Sequence, residues 1–311
     1  MHGDEINQAE SRNIYGYNTK LIHKYFLHSG SLISTYGGGF RYDATDSTLL
    51  SHVEKRNSLE YLNLGRIKEL NSFGFIDQQL NIQYTVNSRI QLYAKTGKGF
   101  HSNDTRVVIG NMGYQILPAA YGSDLGVILK PNDRLLLNIA AWYLYLDQEF
   151  VYNGDDANLS PSGATVRQGI DIIARYQFAK NLFANANINF TKPKALNVAK
   201  GHDFIGLAPT TTSTGGLFYK RNYGINGGLS YKYIADRSAN EDNSIVAKGY
   251  FIWDGSVNYT GPKYEIGLAF ENIFNSKWNE AQFATESRLR NEAASVTELN
   301  FTPGIPFFVR A

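Results

Sequence analysis

The sequence predicts an all-β chain of about thirteen antiparallel strands joined up and down, part of a transmembrane β-barrel. Three observations predict it. Apolar and polar residues alternate with period two in run after run, as along a strand whose two faces meet different surroundings, and not with the 3.6 period of a helix. Short and long connections alternate strictly along the chain. The composition, Gly 29, Tyr 21 and Phe 18 against Met 2 and Pro 8, supplies strand-forming aromatics and a residue that lets strands bend.

The elements follow in order. Arg12 to Phe26 and Leu32 to Ala44 flank a turn at His28-Ser29-Gly30-Ser31, and Asn71 to Gln83 and Arg89 to Gly99 flank Thr85-Val86-Asn87-Ser88. Pro118 to Leu129 and Leu135 to Tyr152 flank Lys130-Pro131-Asn132-Asp133; Thr165 to Phe178 and Leu182 to Phe190 are separated by Ala179-Lys180-Asn181. Thr211 to Lys220 and Ile225 to Ala235 flank Arg221-Asn222-Tyr223-Gly224, and Ala247 to Tyr259 and Tyr264 to Phe274 flank Thr260-Gly261-Pro262-Lys263. A last strand starts at Ile305. Each pair reads as a hairpin with a tight polar turn. The links between hairpins are longer: Thr45 to Leu70, Phe100 to Leu117, Gly154 to Ala164, Lys192 to Thr210, Asp236 to Val246 and Asn275 to Pro303. All short turns then lie at one end of an up-and-down sheet and all long loops at the other, as in outer-membrane barrels. Greek-key links of a sandwich would not sort this way.

The faces support the same reading. Val166, Ile170, Ile172, Ala174, Tyr176 and Phe178 oppose Arg167, Asp171, Arg175 and Gln177, and Leu182, Ala184, Ala186, Ile188 and Phe190 oppose Asn185, Asn187 and Asn189. Rows of Arg, Asp and Asn cannot line a dry core; they suit a wet lumen, with the aliphatic rows towards lipid. Trp142, Tyr143, Tyr145, Trp253 and Tyr259 suit interfacial girdles. Absence of any apolar run of about 18 residues excludes an ordinary spanning helix, which a barrel does not need. With Cys 0 there is no disulfide, thiolate ligand or cysteine nucleophile, and a net charge of +2 without a basic stripe gives no nucleic-acid partner.

The C-terminal third carries a specific pattern. Gly255-Ser256-Val257-Asn258-Tyr259, then Glu265 to Phe270 with Glu271-Asn272-Ile273-Phe274-Asn275, a long loop, and Pro303-Gly304-Ile305-Pro306-Phe307-Phe308-Val309-Arg310 resemble the closing strands of TonB-dependent outer-membrane receptors. Ile90-Gln91-Leu92-Tyr93-Ala94-Lys95-Thr96-Gly97-Lys98-Gly99-Phe100-His101 and Tyr121-Gly122-Ser123-Asp124-Leu125-Gly126-Val127 resemble two further segments of that family. The resemblance covers most of the chain. It implies an outer-membrane location in a Gram-negative bacterium, no enzymatic activity, no cofactor, and TonB-driven uptake of a metal complex such as a ferric siderophore or haem. Its implied partners are outer-membrane lipid, the metal chelate and, through a plug, the TonB complex.

Departures from the family set further expectations. Residues 1–311 read as one barrel domain, a C-terminal fragment with neither a plug nor a visible signal peptide, and so not competent alone. The thirteenth strand stops at Ala311, short of the family's terminal aromatic residue, and a hairpin is expected to be missing near residues 80–84. A passive pore and an inactive truncated product are the alternative readings. Substrate contacts are expected from the lumen row, Arg167, Asp171, Arg175, Asn185 and Asn187, and from the loop residues His101, Asp104, Arg106 and Tyr114. The histidines, dispersed at His2, His23, His28, His52, His101 and His202, form no metal-ligand pair. Asp236 to Asn243 reads as a solvated loop in preference to a Ca²⁺ site, lacking EF-hand spacing.

Overall fold

The computed structural model describes residues 5–27, 30–54, 57–72, 79–101, 103, 115, 117–153, 158–288, 294 and 296–310. It is all-β. The strands are β1 (Glu5–Leu27), β2 (Gly30–Glu54), β3 (Asn57–Ser72), β4 (Gln79–Asn87), β5 (Ile90–Phe100), β6 (Ala119–Asn132), β7 (Leu135–Asn153), β8 (Asn158–Ala179) and β9 (Leu182–Ala195). They continue with β10 (Thr211–Tyr219), β11 (Gly224–Ile234), β12 (Arg237–Ser238), β13 (Val246–Ala247), β14 (Tyr250–Thr260), β15 (Glu265–Glu271), β16 (Asn279–Ser287), β17 (Val296–Pro303) and β18 (Phe308–Arg310).

One antiparallel path runs β1-β2-β4-β5-β6-β7-β8-β9-β10-β11-β14-β15-β18, with β3 also paired to β2. These thirteen strands in sequence order are the up-and-down meander that the sorted loops predict. Among the described residues β1 and β18 end the path without pairing to each other, so the sheet is open.

Several predicted boundaries are corrected, the larger ones on the long-loop side. The stretch expected as a loop from Thr45 to Leu70 is the top of β2 and the whole of β3, with Glu54 opposite Asn57 and Phe40 opposite Ser72. β3 and β4 lie along the same edge of β2, because Gln79 takes up the pairing at Gly37. β7 and β8 also extend beyond prediction, pairing from Leu135 opposite Tyr176 up to Asn153 opposite Asn158. Inside the loops, β16 pairs with β17 and β12 with β13, so Ala247 belongs to a loop ladder and not to the run that begins at Tyr250. Finally, β18 contributes three residues, not the seven from Ile305. The stretch near residues 80–84, where a hairpin is expected to be missing, is β4, paired with β2 and β5; residues 73–78 before it lie outside the described residues.

Register carries the two faces from strand to strand. Tyr84, Leu92, Val127, Ile139, Ile172 and Ile188 form one continuous row of directly opposed residues across β4 to β9. The row continues through Ser213 and Tyr233 to Phe251. Its neighbours one residue away, Gln83, Tyr93, Gly126, Ala140, Asp171 and Asn189, form an equally continuous row on the opposite face. A slip of one residue anywhere would exchange the faces.

Among the described residues nothing covers the apolar face. Leu125 is 67% exposed and Ile266 69%, and Leu92, Ile139, Ile170, Phe190, Leu217, Leu229, Val257 and Leu268 are exposed on the same side. An uncovered apolar sheet of this extent is far larger than the patches monomeric soluble proteins tolerate; in a barrel it is the lipid-facing band. Aromatic pairs mark both ends: Tyr121 with Tyr145, and Phe251 with Trp253, towards the long loops; Tyr176 with Phe178, and Tyr259 with Tyr264, towards the turns. Along β8, the ten steps from Val166 to Tyr176 at about 3.4 Å each give about 34 Å. At a tilt of about 45° that is about 25 Å of height, the thickness of an outer-membrane band.

Candidate functional site

The polar face is a connected hydrogen-bond surface, built by the register that sets the apolar one. Arg175 lies opposite Asn185, Ile173 opposite Asn187 and Asp171 opposite Asn189. All five residues expected in the lumen row therefore share one face of β8 and β9. The structure separates them into three kinds.

Arg167 is engaged. Its Nη2 donates to Glu149 Oε1 at 2.7 Å and its Nη1 to Thr165 Oγ1 at 3.2 Å, while the fully buried Thr165 hydroxyl donates to Glu149 Oε2 at 2.7 Å. Arg167 and Glu149 form an ion pair that bridges β8 to β7.

Asp171 is engaged too. Its Oδ1 accepts from Trp142 Nε1 at 3.1 Å and from Asn189 Nδ2, and Thr191 Oγ1 donates to Asn189 Oδ1. Trp142 thus faces the polar side, which corrects its expected place in an interfacial girdle. The girdle pattern rests on Tyr143 and Tyr145, one and three residues further along β7, with Tyr143 on the apolar face. Room for the indole comes from Gly169, opposite Trp142 across the ladder: a Cβ there would sit 2.6 Å from the Trp142 ring. Asp171→Ala is expected to cost about 1–3 kcal/mol, the penalty for leaving partly buried donors unpaired. Asp171→Asn, which keeps one acceptor, should cost less; urea unfolding in lipid bilayers measures both.

Among the described residues Arg175 and Asn185 remain open, lining a cavity near the short turns, and Asn187 makes only a long contact, donating to Thr214 Oγ1 at 3.4 Å. Elsewhere on this face Tyr93 donates to Asn138 Oδ1 at 3.0 Å, Lys95 lies over the Tyr93 ring and Lys232 pairs with Asp254 at 3.2 Å. Sequence reading missed Glu149, Thr165, Asn138 and Thr214. For Thr165, Asn138 and Thr214 the signal was the parity of each strand, which fixes the face once the register is known; Glu149 has the parity of the apolar face and reaches Arg167 only past the register shift between Leu146 and Glu149.

At the long-loop end, His101 is exposed, and its backbone N–H donates to Pro118 O at 2.9 Å. Asp104, Arg106 and Tyr114 lie outside the described residues. The loop that read as solvated is tied down on both sides: Asp242 accepts from the backbone N and Oγ of Ser244, Asp236 accepts from the Gly249 backbone N–H at 2.7 Å and Lys248 Nζ at 3.0 Å, and the backbone carbonyls of Ser238 and Glu241 accept from Leu207 N at 2.7 Å and Phe204 N at 3.2 Å. No group of three metal-ligating side chains occurs among the described residues.

The Gly249 amide first, and Lys248 second, hold the Asp236 carboxyl below its ordinary range. A carboxylate depressed on folding stabilises above its unfolded pKa of about 3.9 and loses that contribution as pH falls through its lower folded value. The contact between this loop and the head of β14 should therefore persist at neutral pH and loosen only below about pH 4. Hydrogen exchange at the Gly249 amide measures this.

The end of the sheet is tied by the Asn272 to Asn275 step. Asn272 is buried, with φ 48°. Its backbone N–H donates to Asp254 Oδ1 at 3.0 Å, its Nδ2 donates to Ser276 O at 2.9 Å and Ile305 O at 3.1 Å, and its Oδ1 accepts from Ser276 N at 2.8 Å. Asn275, φ 49°, accepts from Phe307 N at 3.0 Å. The two asparagines thus hold the segment that leads into β18.

Comparison with known proteins agrees with this architecture. The family model described as TonB dependent receptor-like, beta-barrel matches residues 24–273. The ferrioxamine receptor of Yersinia enterocolitica is 27% identical over 137 residues, 43% of this chain and 19% of that receptor. Among solved structures, the ferric citrate transporter FecA superposes with a TM-score of 0.63 at 13% identity, covering 98% of this chain and 54% of that one. The ferric yersiniabactin uptake receptor FyuA of Yersinia pestis gives 0.59 at 14%, covering 95% and 49%. The chain thus spans about a fifth of the curated relative and about half of each solved receptor. At these identities the structures show a shared fold, and the family match, over well more than half of the residues, assigns the chain: it belongs to the TonB-dependent receptor β-barrel family.

Proposed function

We propose that this chain is barrel from an outer-membrane receptor of a Gram-negative bacterium that takes up a metal complex of the siderophore type by TonB-driven transport. The observation that carries the proposal is the pair of continuous rows: one apolar and uncovered, the other polar and cross-linked between strands, as lipid outside and water inside require. The relatives' names point to the solute class, with ferrioxamine, ferric citrate and ferric yersiniabactin among them. Uptake in this reading is binding and passage without covalent change in the solute. In this reading TonB acts through a plug, and driven uptake is a property of the whole receptor and not of this stretch of barrel alone. The lumen row and the long loops, His101, Asp104, Arg106 and Tyr114 included, are the proposed solute contacts.

The test uses the gene's whole reading frame in an iron-starved Gram-negative host stripped of its own siderophore receptors, fed one ferric chelate at a time. Growth on at least one chelate that disappears when TonB is deleted is the expected result. Growth that ignores TonB would replace the proposal with a passive pore, and no growth on any chelate despite confirmed insertion would overturn it.

A further inference from the structure

At the short-turn end of the polar face lies a cavity of about 650 Å³. It is bounded by the β4–β5 turn, the β6–β7 turn and the adjoining ends of β8 and β9. Four cations line it, Arg89, Lys130, Arg134 and Arg175, against one carboxylate, Asp133. This balance is unlike the rest of the face, where Arg167 is paired with Glu149 and Lys232 with Asp254. None of the four cavity cations has a carboxylate within ion-pair distance among the described residues. Their backbones are already satisfied, with Arg89 N donating to Asn87 Oδ1, Arg134 N to Asn132 Oδ1 and Lys130 N to Arg89 O. The turns are therefore held in shape by asparagine side chains and leave the cationic groups open.

Four like charges gathered around one concavity repel one another, and a multiply charged anion relieves that repulsion. Arginine supplies planar paired donors matched to carboxylate and phosphate oxygens, and Lys130 supplies a point charge. The volume is that of a small-molecule site.

We propose that this cavity binds a compact oxyanion carrying at least two negative charges, a polycarboxylate or a phosphorylated small molecule, at the turn-side mouth of the lumen. Arg89, Lys130, Arg134 and Arg175 neutralise it, and Gln177 and Asn185 at the rim supply neutral hydrogen bonds. The proposal rests on the barrel reading only for the side of the membrane on which the mouth opens; binding by the isolated chain is measured without TonB or uptake, so either can fail alone. A phosphate could also come from a lipid headgroup. The four side chains lie on or next to polar-face rows, which favours a solute free in water.

The experiment is calorimetric titration of the full chain, in nanodiscs of zwitterionic phosphatidylcholine, with inorganic pyrophosphate and then citrate. We expect saturable binding of at least one probe, weakened at least about ten-fold by the double variant Arg134→Gln/Arg175→Gln, a loss equivalent to about 1.4 kcal/mol. It should also weaken as salt rises to about 0.3 M, where screening shortens to several Å. Lys263→Gln, a cation on a turn outside the cavity, should leave binding unchanged. Heat-dependent gel migration checks that each variant is folded. Absence of binding by the unmodified chain, equal loss in Lys263→Gln, or binding that appears only when anionic phosphatidylglycerol is present would overturn the proposal.

Discussion

Replacing Asn272 by alanine should detach the last strand. The substitution removes two donated hydrogen bonds and one accepted from a buried position, each worth about 0.5–1.5 kcal/mol net. It also forces an ordinary residue into left-handed backbone at a cost of about 1 kcal/mol. The total expected is about 2.5–5.5 kcal/mol, with proteolysis then cutting the segment that carries Gly304 to Phe307. Two further variants separate the contributions. Asn272→Gly keeps the backbone easy and loses only the side-chain bonds, so it should cost less than alanine. Asn272→Asp keeps the acceptor for Ser276 N but points a second carboxylate at Ile305 O, close to Asp254, and should be at least as harmful as alanine. Equal stability of all three by urea unfolding would show that this step does not hold β18.

A cation placed on the apolar face should be the other large effect. Ile172 lies midway along the apolar band of β8, opposed by Ile139 and Ile188. Ile172→Arg should destabilise the inserted protein by about 2–4 kcal/mol, the depth-dependent cost of a charge at the middle of the bilayer. Phe178→Arg, at the rim of the same row, should cost about 0–1 kcal/mol because the side chain reaches headgroups and water. Ile173→Arg lands on the polar face beside Asn138 and Asn187 and should be tolerated. In detergent-free lipid, unfolding titrations of the three variants should rank Ile172 far above the other two. Similar costs at 172 and 173 would mean that the faces do not differ in surroundings.

How much of this was legible in the sequence follows from what each residue faces. In the membrane-height segments two solvents act on alternate residues, so hydropathy alternates, and β9 could be read residue by residue from Leu182 to Phe190. Above that height both faces meet water. The upper parts of β2 and β3 and the β16–β17 hairpin therefore show no alternation and read as loops, although their backbones pair. Trp142 was placed on the wrong face for a related reason. A tryptophan close to Tyr143 and Tyr145 fits a girdle by composition, but parity with Asn138 and the gap at Gly169 put it against Asp171. The Asn272 to Asn275 step was visible as a pattern without a physical role; its left-handed backbone and its bonds to Ile305 and Phe307 appear only once the chain is folded back. Of the lumen row, sequence could give the face but not the division between Arg167, which is paired, and Arg175, which is not, because the partner Glu149 lies on another strand.

The central claim is that one face of this sheet meets lipid and the other meets water. Because the native chain has no cysteine, single cysteines can be placed in turn at positions 184 to 189 of β9 in liposomes without background. The account predicts a period of two. Residues 185, 187 and 189 should react with a water-soluble maleimide, while a spin label at 184, 186 and 188 should be relaxed by oxygen dissolved in the bilayer and not by a water-soluble nickel chelate. Uniform reactivity along the strand, or the opposite alternation, would contradict it.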